Sequence, residues 1–513
     1  MTEHMTVEPM SVEPMTAEPM TAERSAIRVR GAPARGGQRA LSAPVFRGAL
    51  AALDVAALVA AGGAASAALA AASGPPPAGG ALALACLAGV VAGAATLSAS
   101  GAHDLERLRA IASRGRAQGL ATLLKSSLAA AVAAALCLFL SGAQGGFARA
   151  FPFAFGAAGA LLLVASRLGL RGVFGRWLSE GRFRRRVAIF AVSDFSAEFI
   201  RRLQAEPDLF EIVGVYDDRL RSGRVPRVHA GVPVRGSLAD LLRDSRDARV
   251  DVIAVALPLS AVDRIAAVLQ GLSSAVADLC LTTDLAGVSY HGRQFAAVGA
   301  NPVISVSETP IKDWRAVKKA CLDYGFGSLA LLLLAPLLAL IAVAVKLDSP
   351  GPALFRQPRL GFNNRLFTCY KFRTMHTHMT DVLADRQTVR GDPRVTRIGK
   401  WLRRFSLDEL PQLFNVLDGT MSLVGPRPHA PNTKAADRLF ADVVKQYAVR
   451  HRVKPGVTGW AQVNGWRGET TTVEEIENRV RCDLYYIDNW SVAFDLRIMA
   501  LTVLREVFSA RAY

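Results

Sequence analysis

The 513-residue chain contains only six cysteines. Cys86, Cys137, Cys280, Cys321, Cys369 and Cys482 lie far apart, without metal-ligand spacing, and two fall in apolar runs. That argues against a zinc site or a disulfide framework and points to reduced thiols. Acidic residues are scarce as well: 43 Asp and Glu face 61 Lys and Arg, a net charge of +18. Such an excess suits anionic lipid, phosphate-bearing substrates or nucleic acid. An apolar share of 51% and a positive mean hydropathy favour the membrane and speak against nucleic acid. No apolar run begins near the first residue, so a cleaved signal peptide is not expected. The length exceeds what one core supports, so several domains are expected.

Residues 1–45 carry a five-residue repeat (Met5-Thr6-Val7-Glu8-Pro9 and its copies) and then a basic segment. Pro and Glu at this density leave too little apolar surface to offset ordering entropy, so a disordered tail is expected. Residues 46–172 hold four apolar runs, at about 48–72, 80–98, 120–142 and 151–170. Each is close to the ~20 residues that cross a bilayer, which predicts a four-helix transmembrane bundle. The connection with Arg107, Arg109, Arg114 and Arg116 and the exit after Arg171 are basic. Pro75–Pro77 carries no charge, so the positive-inside rule puts both ends of the bundle in the cytoplasm.

Residues 186–300 change to an α/β pattern. Strands are expected at Val187–Val192, Ile212–Tyr216 and Val250–Leu257, with a helix over Ser196–Leu203, a Rossmann-type order. Glycine is missing where a dinucleotide fold needs it: the first turn reads Ala191-Val192-Ser193-Asp194-Phe195-Ser196. Backbone cannot approach a pyrophosphate there, and Asp194 repels it, so no NAD site is expected.

Tyr324–Val345 is apolar throughout, with Pro336 in its middle and basic residues on both flanks. A helix broken at Pro336, a re-entrant hairpin over 324–345, keeps both flanks in the cytoplasm. A straight, kinked span is the alternative. Residues 312–513 then read as a membrane-embedded α/β catalytic domain. Leu366–Thr374 alternates as a strand with Lys371 and Arg373 on one face, a phosphate clamp or a solvated face. Lys454–Trp460 is turn-rich and rigid, suited to a substrate loop, and Asp483–Phe508 reads as an amphipathic helix.

The stretch from Asp392 to Pro428 concentrates the chemistry. Val395, Ile398, Trp401, Leu402 and Phe405 recur at helical spacing among Arg394, Arg397, Lys400, Arg403 and Arg404, a basic interfacial helix. Asp408 and Glu409 follow, then a short helix opened by Pro411 and ended by Gly419, then Arg427 between two prolines. Ser406–Glu409 also matches a capping box, in which Ser406 and Glu409 only satisfy backbone donors. Carboxylates, fixed cations and a membrane surface together indicate phosphate chemistry on a lipid.

Five stretches resemble the polyprenyl-phosphate hexose-1-phosphate transferases of bacterial exopolysaccharide and capsule synthesis: Lys371–Met375, Asp392–Arg394, Ser406–Gln412, Gly425–His429 and Pro455–Gly465. The likeness to the long members of that family covers nearly all the chain after the tail. It implies that Asp408 attacks the sugar-bearing phosphate of a UDP-sugar, releasing UMP, and that undecaprenyl phosphate then takes the phosphosugar. It implies Mg²⁺ on Glu409, and Lys371, Arg373, Arg403 and Arg427 on the phosphates. Trp460, Gln462 and Asn464 would belong to the substrate loop. A position before a helix N-terminus, beside a metal, should keep Asp408 ionised. The segments Asn464–Thr470 and Tyr485–Ser491 resemble glucose-1-phosphate members, with galactose the alternative. The resemblance also implies a bacterial inner-membrane protein with a cytoplasmic catalytic domain, and a homo-oligomer is compatible with the sequence. Two departures stand out: Ala335 where the family has Ser before the proline, and Ala320 where it has a basic residue. A lipid-phosphate glycosyltransferase releasing UDP, and a membrane scaffold without turnover, are the competing classes.

Overall fold

The computed structural model describes residues 42–73, 80–103, 116–246, 250–282, 296–298, 301–379, 392–430, 434–435, 438–439, 447–466 and 472–508. The amino-terminal repeat, the Pro75–Pro77 connection, Arg107, Arg109 and Arg114, and the Arg467–Thr470 part of the sugar-related motif lie outside the described residues.

Helices α1 (Ala43–Ser73), α2 (Ala81–Ala99), α3 (Arg116–Leu140) and α4 (Gly146–Ser179) follow the four apolar runs. All are long and apolar enough to cross a bilayer. Small residues set their spacing. A Cβ on Gly89 would fall 2.2 Å from the Phe155 ring and 2.9 Å from the Ala130 carbonyl, so glycine is what lets α2 lie against α3 and α4. Leu58, Leu97, Phe151, Phe155 and Leu163 fill the interior. Charge is buried there too. Asp54, 1% exposed, takes both terminal nitrogens of Arg167 at 2.9 and 2.7 Å and meets His103 at 2.8 Å. Hydrocarbon cannot solvate any of these groups, so each requires the others.

The middle domain is an eight-stranded sheet: β1 (Arg185–Phe190), β2 (Phe210–Tyr216), β3 (Val228–His229), β4 (Val232–Gly236), β5 (Val252–Val255), β6 (Asp278–Thr282), β7 (Ala296–Val298) and β8 (Asn301–Ser307), in the order β3-β4-β2-β1-β5-β6-β8-β7. The central run β4-β2-β1-β5-β6 is parallel, and the order reverses at β1 as in doubly wound sheets. Helices α5 (Asp194–Gln204), α6 (Leu238–Arg246) and α7 (Val262–Leu272) supply the crossovers. Strands β1 and β5 are buried on both faces, which is why they read as continuous apolar runs.

Helix α8 (Asp313–Asp348) is one 36-residue element with Pro336 inside it. The expected break into two helices does not occur. Proline removes one hydrogen bond there, while the apolar flanks keep every other backbone group paired, as lipid demands. Both ends of α8 are fastened to the carboxy-terminal domain. Lys319 Nζ donates to Asp495 at 2.7 Å and to the Val424 carbonyl at 3.0 Å, and Asp323 accepts from Ser422 Oγ and the Leu423 amide. At the other end Arg373 donates to the carbonyls of Val345 and Ser349, and Asp348 accepts from the Ile398 amide.

That domain contains the antiparallel pair β9 (Leu354–Leu360) and β10 (Leu366–Phe372), then α9 (Arg397–Arg404), a 3-10 turn (Leu407–Glu409), α10 (Gln412–Leu417) and β11 (Ser422–Val424). Strand β12 (Gly456–Thr458) pairs in parallel with β11, and α11 (Trp460–Val463), α12 (Val473–Asp488) and α13 (Val492–Phe508) complete it. The single helix expected over Asp483–Phe508 is two. The chain breaks where Trp490 turns inward and Ser491 Oγ accepts from the Phe494 amide, starting a new helix. Phe367, Cys369, Leu413, Val416, Tyr486 and Ile498 form the core. The β9–β10 turn also reaches the middle domain: Asn363 and Arg365 both donate to the Arg246 carbonyl, capping the end of α6.

Candidate active site

Helix α9 is basic, short and positioned by one close approach. A Cβ on Gly399 would sit 2.2 Å from the Thr374 carbonyl, so the helix lies directly on the chain that leaves β10. Thr396 caps its start by accepting from the Gly399 amide. Leu402 is buried, while Trp401 and Phe405 are 60% and 50% exposed and stacked, an apolar face left for lipid. After α9, Ser406 adopts φ +56°, a left-handed conformation that a serine rarely takes. That kink delivers Asp408 and Glu409 into the following 3-10 turn, both buried. Ser406 makes no side-chain cap, and the Glu409 side chain points elsewhere, so the capping box does not form.

Glu409 is held by two cations. Arg427 donates to both of its oxygens, through Nη1 to Oε2 at 2.8 Å and through Nη2 to Oε1, and Lys371 Nζ donates to Oε1 at 2.8 Å. Burial pulls the Glu409 carboxyl up, but the Arg427 and Lys371 charges and their hydrogen bonds outweigh it and hold the group well below the usual range. Asp408 differs. Among the described residues no hydrogen bond holds its carboxylate, and burial pushes its pKa up against the partial relief of Lys371, Arg403 and Arg427. The neighbouring Glu409 charge adds to the rise. The expected pull of a helix N-terminus on Asp408 is outweighed by burial, since α10 is only six residues long.

Lys371, Arg403 and Arg427 therefore converge on the two acids. Arg373 is bonded elsewhere: it is 4% exposed, and its guanidinium donates to the carbonyls of Val345, Ser349 and Pro350. Its place is the carboxyl end of α8, where a cation satisfies orphan carbonyls. Trp460 packs between Tyr485 and Phe494 with Arg497 over its ring. Gln462 and Asn464 donate to the Val457 and Trp460 carbonyls, so these three brace the start of α11. The Asp392–Arg394 motif closes on itself: Arg394 clamps Asp392, whose carboxyl drops to about 2, chiefly through that side-chain bond.

Sequence reasoning missed the residues behind this face. Asn415, fully buried on α10, accepts from the Tyr370 amide and donates to the Thr368 carbonyl, holding β10 beside the acids. A polar residue inside an apolar helical stripe was the available signal. Arg450, Asp483 and His429 form a second buried polar group behind Arg427. Nothing in their spacing announces it.

A magnesium ion is compatible with the two adjacent carboxylates, because Mg²⁺ characteristically takes one or two carboxylates together with substrate phosphates and water. Glu409 Oε1 is occupied by both cations, whereas Oε2 carries only Arg427 among the described contacts. Asp408 and Glu409 Oε2 are thus the oxygens open to a metal. Among the described residues no group of three or more His, Cys, Asp or Glu could cage one without substrate.

Fold and site together define a membrane protein with a cation-ringed carboxylate pair beside an exposed apolar helix face. Residues 314–509 match the family described as bacterial sugar transferase, and residues 107–282 match a CoA-binding domain. The undecaprenyl-phosphate glucose phosphotransferase of Komagataeibacter xylinus is 42% identical over 65% of this chain and 61% of its own length. The UDP-glucose:undecaprenyl-phosphate glucose-1-phosphate transferase of Escherichia coli (strain K12) is 38% identical, over 68% of this chain and 74% of that one. The UDP-N-acetylgalactosamine-undecaprenyl-phosphate N-acetylgalactosaminephosphotransferase of Aeromonas hydrophila is 42% identical over 40% of this chain and 46% of its own. The chain belongs to the bacterial sugar transferase family, among the polyprenyl-phosphate hexose-1-phosphate transferases, and is a transferase.

The two neighbouring acids should respond oppositely to neutralisation. Glu409, with a depressed folded pKa, contributes stability above the usual glutamate range that is lost as pH falls through its lower folded value. Asp408, with a raised one, costs stability once pH exceeds the usual aspartate range. Thermal unfolding at neutral pH should show Asp408→Asn melting above the parent. Glu409→Gln should melt below it by the equivalent of about 3–5 kcal/mol, the cost of stranding buried cations.

Proposed function

We propose that this protein transfers a hexose-1-phosphate, glucose-1-phosphate first among candidates, from a UDP-sugar to undecaprenyl phosphate at a membrane surface. The observation that carries the reading is the asymmetry of the acid pair: Glu409 is locked by Arg427 and Lys371, while the Asp408 carboxylate beside it faces the same cations with no hydrogen bond among the described residues. A carboxylate oxygen of Asp408 attacks the sugar-bearing phosphorus; the bond to the bridging oxygen breaks and UMP departs with that electron pair. The product is an acyl phosphate carrying the sugar. An oxygen of undecaprenyl phosphate then attacks the same phosphorus, the bond to Asp408 breaks, and the carboxylate returns. Phosphoryl transfer asks a protein mainly for positioning and charge neutralisation, which Lys371, Arg403 and Arg427 supply. Bound Mg²⁺ would add neutralisation at the diphosphate.

The same reading takes α8 as re-entrant. Lys319 and Val345 are held by one domain; on a straight helix they would stand roughly 39 Å apart at 1.5 Å per residue, more than the ~30 Å of hydrocarbon. A single crossing would drag the polar β9–β10 pair through lipid, which open strands do not tolerate. A bend at Pro336 that leaves the helix otherwise continuous would let both attachments stay on one face. For the middle domain, the first turn supports a role without dinucleotide. Ser193 and Ser196 cap each other, and the Val192 amide is taken by Asp217, so the donors a pyrophosphate needs are already engaged. The choice of glucose is supported by the Asn464–Thr470 and Tyr485–Ser491 resemblance and by relatives named for glucose-1-phosphate transfer.

Membranes offered UDP-glucose, UDP-galactose and UDP-N-acetylgalactosamine with undecaprenyl phosphate should release UMP, most with UDP-glucose, and Asp408→Asn should lower that rate by about a thousandfold or more. UDP in place of UMP would mean direct glycosyl transfer. In a Cys321→Ser background, Lys318→Cys and Pro350→Cys should both react with an impermeant maleimide from the cytoplasmic side only; labelling from opposite sides would establish a straight span.

A further inference from the structure

Arg427 is flanked by Pro426 and Pro428, neither of which has an amide hydrogen. The backbone around it can therefore be gripped mainly by its carbonyls, and all of these are taken. The Pro426 carbonyl accepts from the Gly456 amide at 3.0 Å and the His429 carbonyl from the Leu360 amide at 3.0 Å. Between them, the Arg427 carbonyl accepts from Arg450 Nη2 at 2.7 Å, and the Pro428 carbonyl accepts from Arg359 Nη1 at 2.5 Å. Two arginine side chains thus hold the two carbonyls that immediately frame the Arg427–Glu409 fork.

Arg450 is built in deeply for this task. It is 1% exposed, its charge is balanced by Asp483 at 2.7 Å, and Asp483 is itself 1% exposed. Its Nη1 donates to His429 Nδ1 at 2.7 Å, which fixes the guanidinium plane. A buried ion pair on a domain this size is weak as a stabiliser, because desolvation offsets most of its attraction. What it supplies is a rigid donor at a defined point.

We propose that Arg450, held by Asp483, is a positioning residue that aims Arg427 at Glu409 and the reacting phosphate, with Arg359 gripping the next carbonyl. This rests on the reading above that Arg427 serves the phosphate. Arg450 touches no substrate in this role; its effect passes through the Arg427 backbone. Lysine at 450 keeps the charge for Asp483 but cannot reach the Arg427 carbonyl and His429 together, because it lacks the planar fork.

The test is a double-mutant cycle on the full-length protein in membranes, with UMP release from UDP-glucose as readout, using Arg427→Lys, Arg450→Lys and the double variant. Arg450→Lys alone should lower kcat on the order of tenfold to a hundredfold, the usual effect of a small misplacement. In the Arg427→Lys background it should cost no more than about twofold, because the residue it positions is already gone. Losses that multiply fully would overturn the proposal, since a merely structural role predicts that result. If Arg450→Lys melts well below the parent, Arg359→Lys replaces it in the cycle under the same two criteria. If Arg427→Lys alone leaves turnover intact, the placement of Arg427 on the phosphate fails, and this inference with it.

Discussion

The candidate site depends on two adjacent carboxylates, Asp408 and Glu409, being buried side by side. Two such charges in a low-dielectric pocket repel, and one would normally take a proton. Here the two are treated unequally, and the upward shift falls on Asp408. Glu409 receives the Arg427 fork and the Lys371 ammonium, while Asp408 is left with their field but not their hydrogen bonds. Glu409 in turn fixes where Lys371 and Arg427 stand, so the ion pair places the cations that Asp408 faces. The left-handed kink at Ser406 and the Gly399 contact place the turn that makes this arrangement possible.

The membrane imposes the second constraint. On the proposed reading a lipid phosphate meets the acids near the headgroups, which asks that they be held at that depth. Helix α9 shows exposed Trp401 and Phe405 on one side and packs Leu402 with Leu338, Ile341 and Val345 of α8 on the other. Arg373, which looks like a phosphate clamp on its strand, ties the carboxyl end of α8 to β10 instead. Lys319 and Asp323 do the same at the amino end through Asp495 and Ser422. The buried Asp54–Arg167–His103 group gives the bundle a comparable polar anchor, and the Asn363–Arg365 turn joins the middle domain to the strand pair carrying Lys371.

Much of this was legible in the residue pattern, for identifiable reasons. The four bundle helices, the central β1, β2 and β5 strands and the α9–α10 succession follow from long apolar runs and strong periodicity. Those signals are local. The cations around Asp408 were visible because they sit in dense motifs. What escaped was long-range: Arg373 differs from Lys371 by two residues on one face, yet partners 23 to 28 residues upstream decide its place. Pro336 was expected to end a helix, but a lipid-facing segment cannot leave its backbone unpaired. The break at Trp490 depends on a buried indole bonded to Asp495, which no period reveals. Arg450 and Asp483 lie 33 positions apart and pair only in three dimensions.

The central claim is that Asp408 becomes covalently loaded. The most direct measurement is intact and peptide mass spectrometry of protein mixed with UDP-glucose in the absence of undecaprenyl phosphate and quenched rapidly. The account predicts a hexose-phosphate adduct on the peptide containing Asp408, which disappears when undecaprenyl phosphate is added. Full UMP release with no adduct at that residue, under conditions where a phosphoaspartate standard survives, would contradict it.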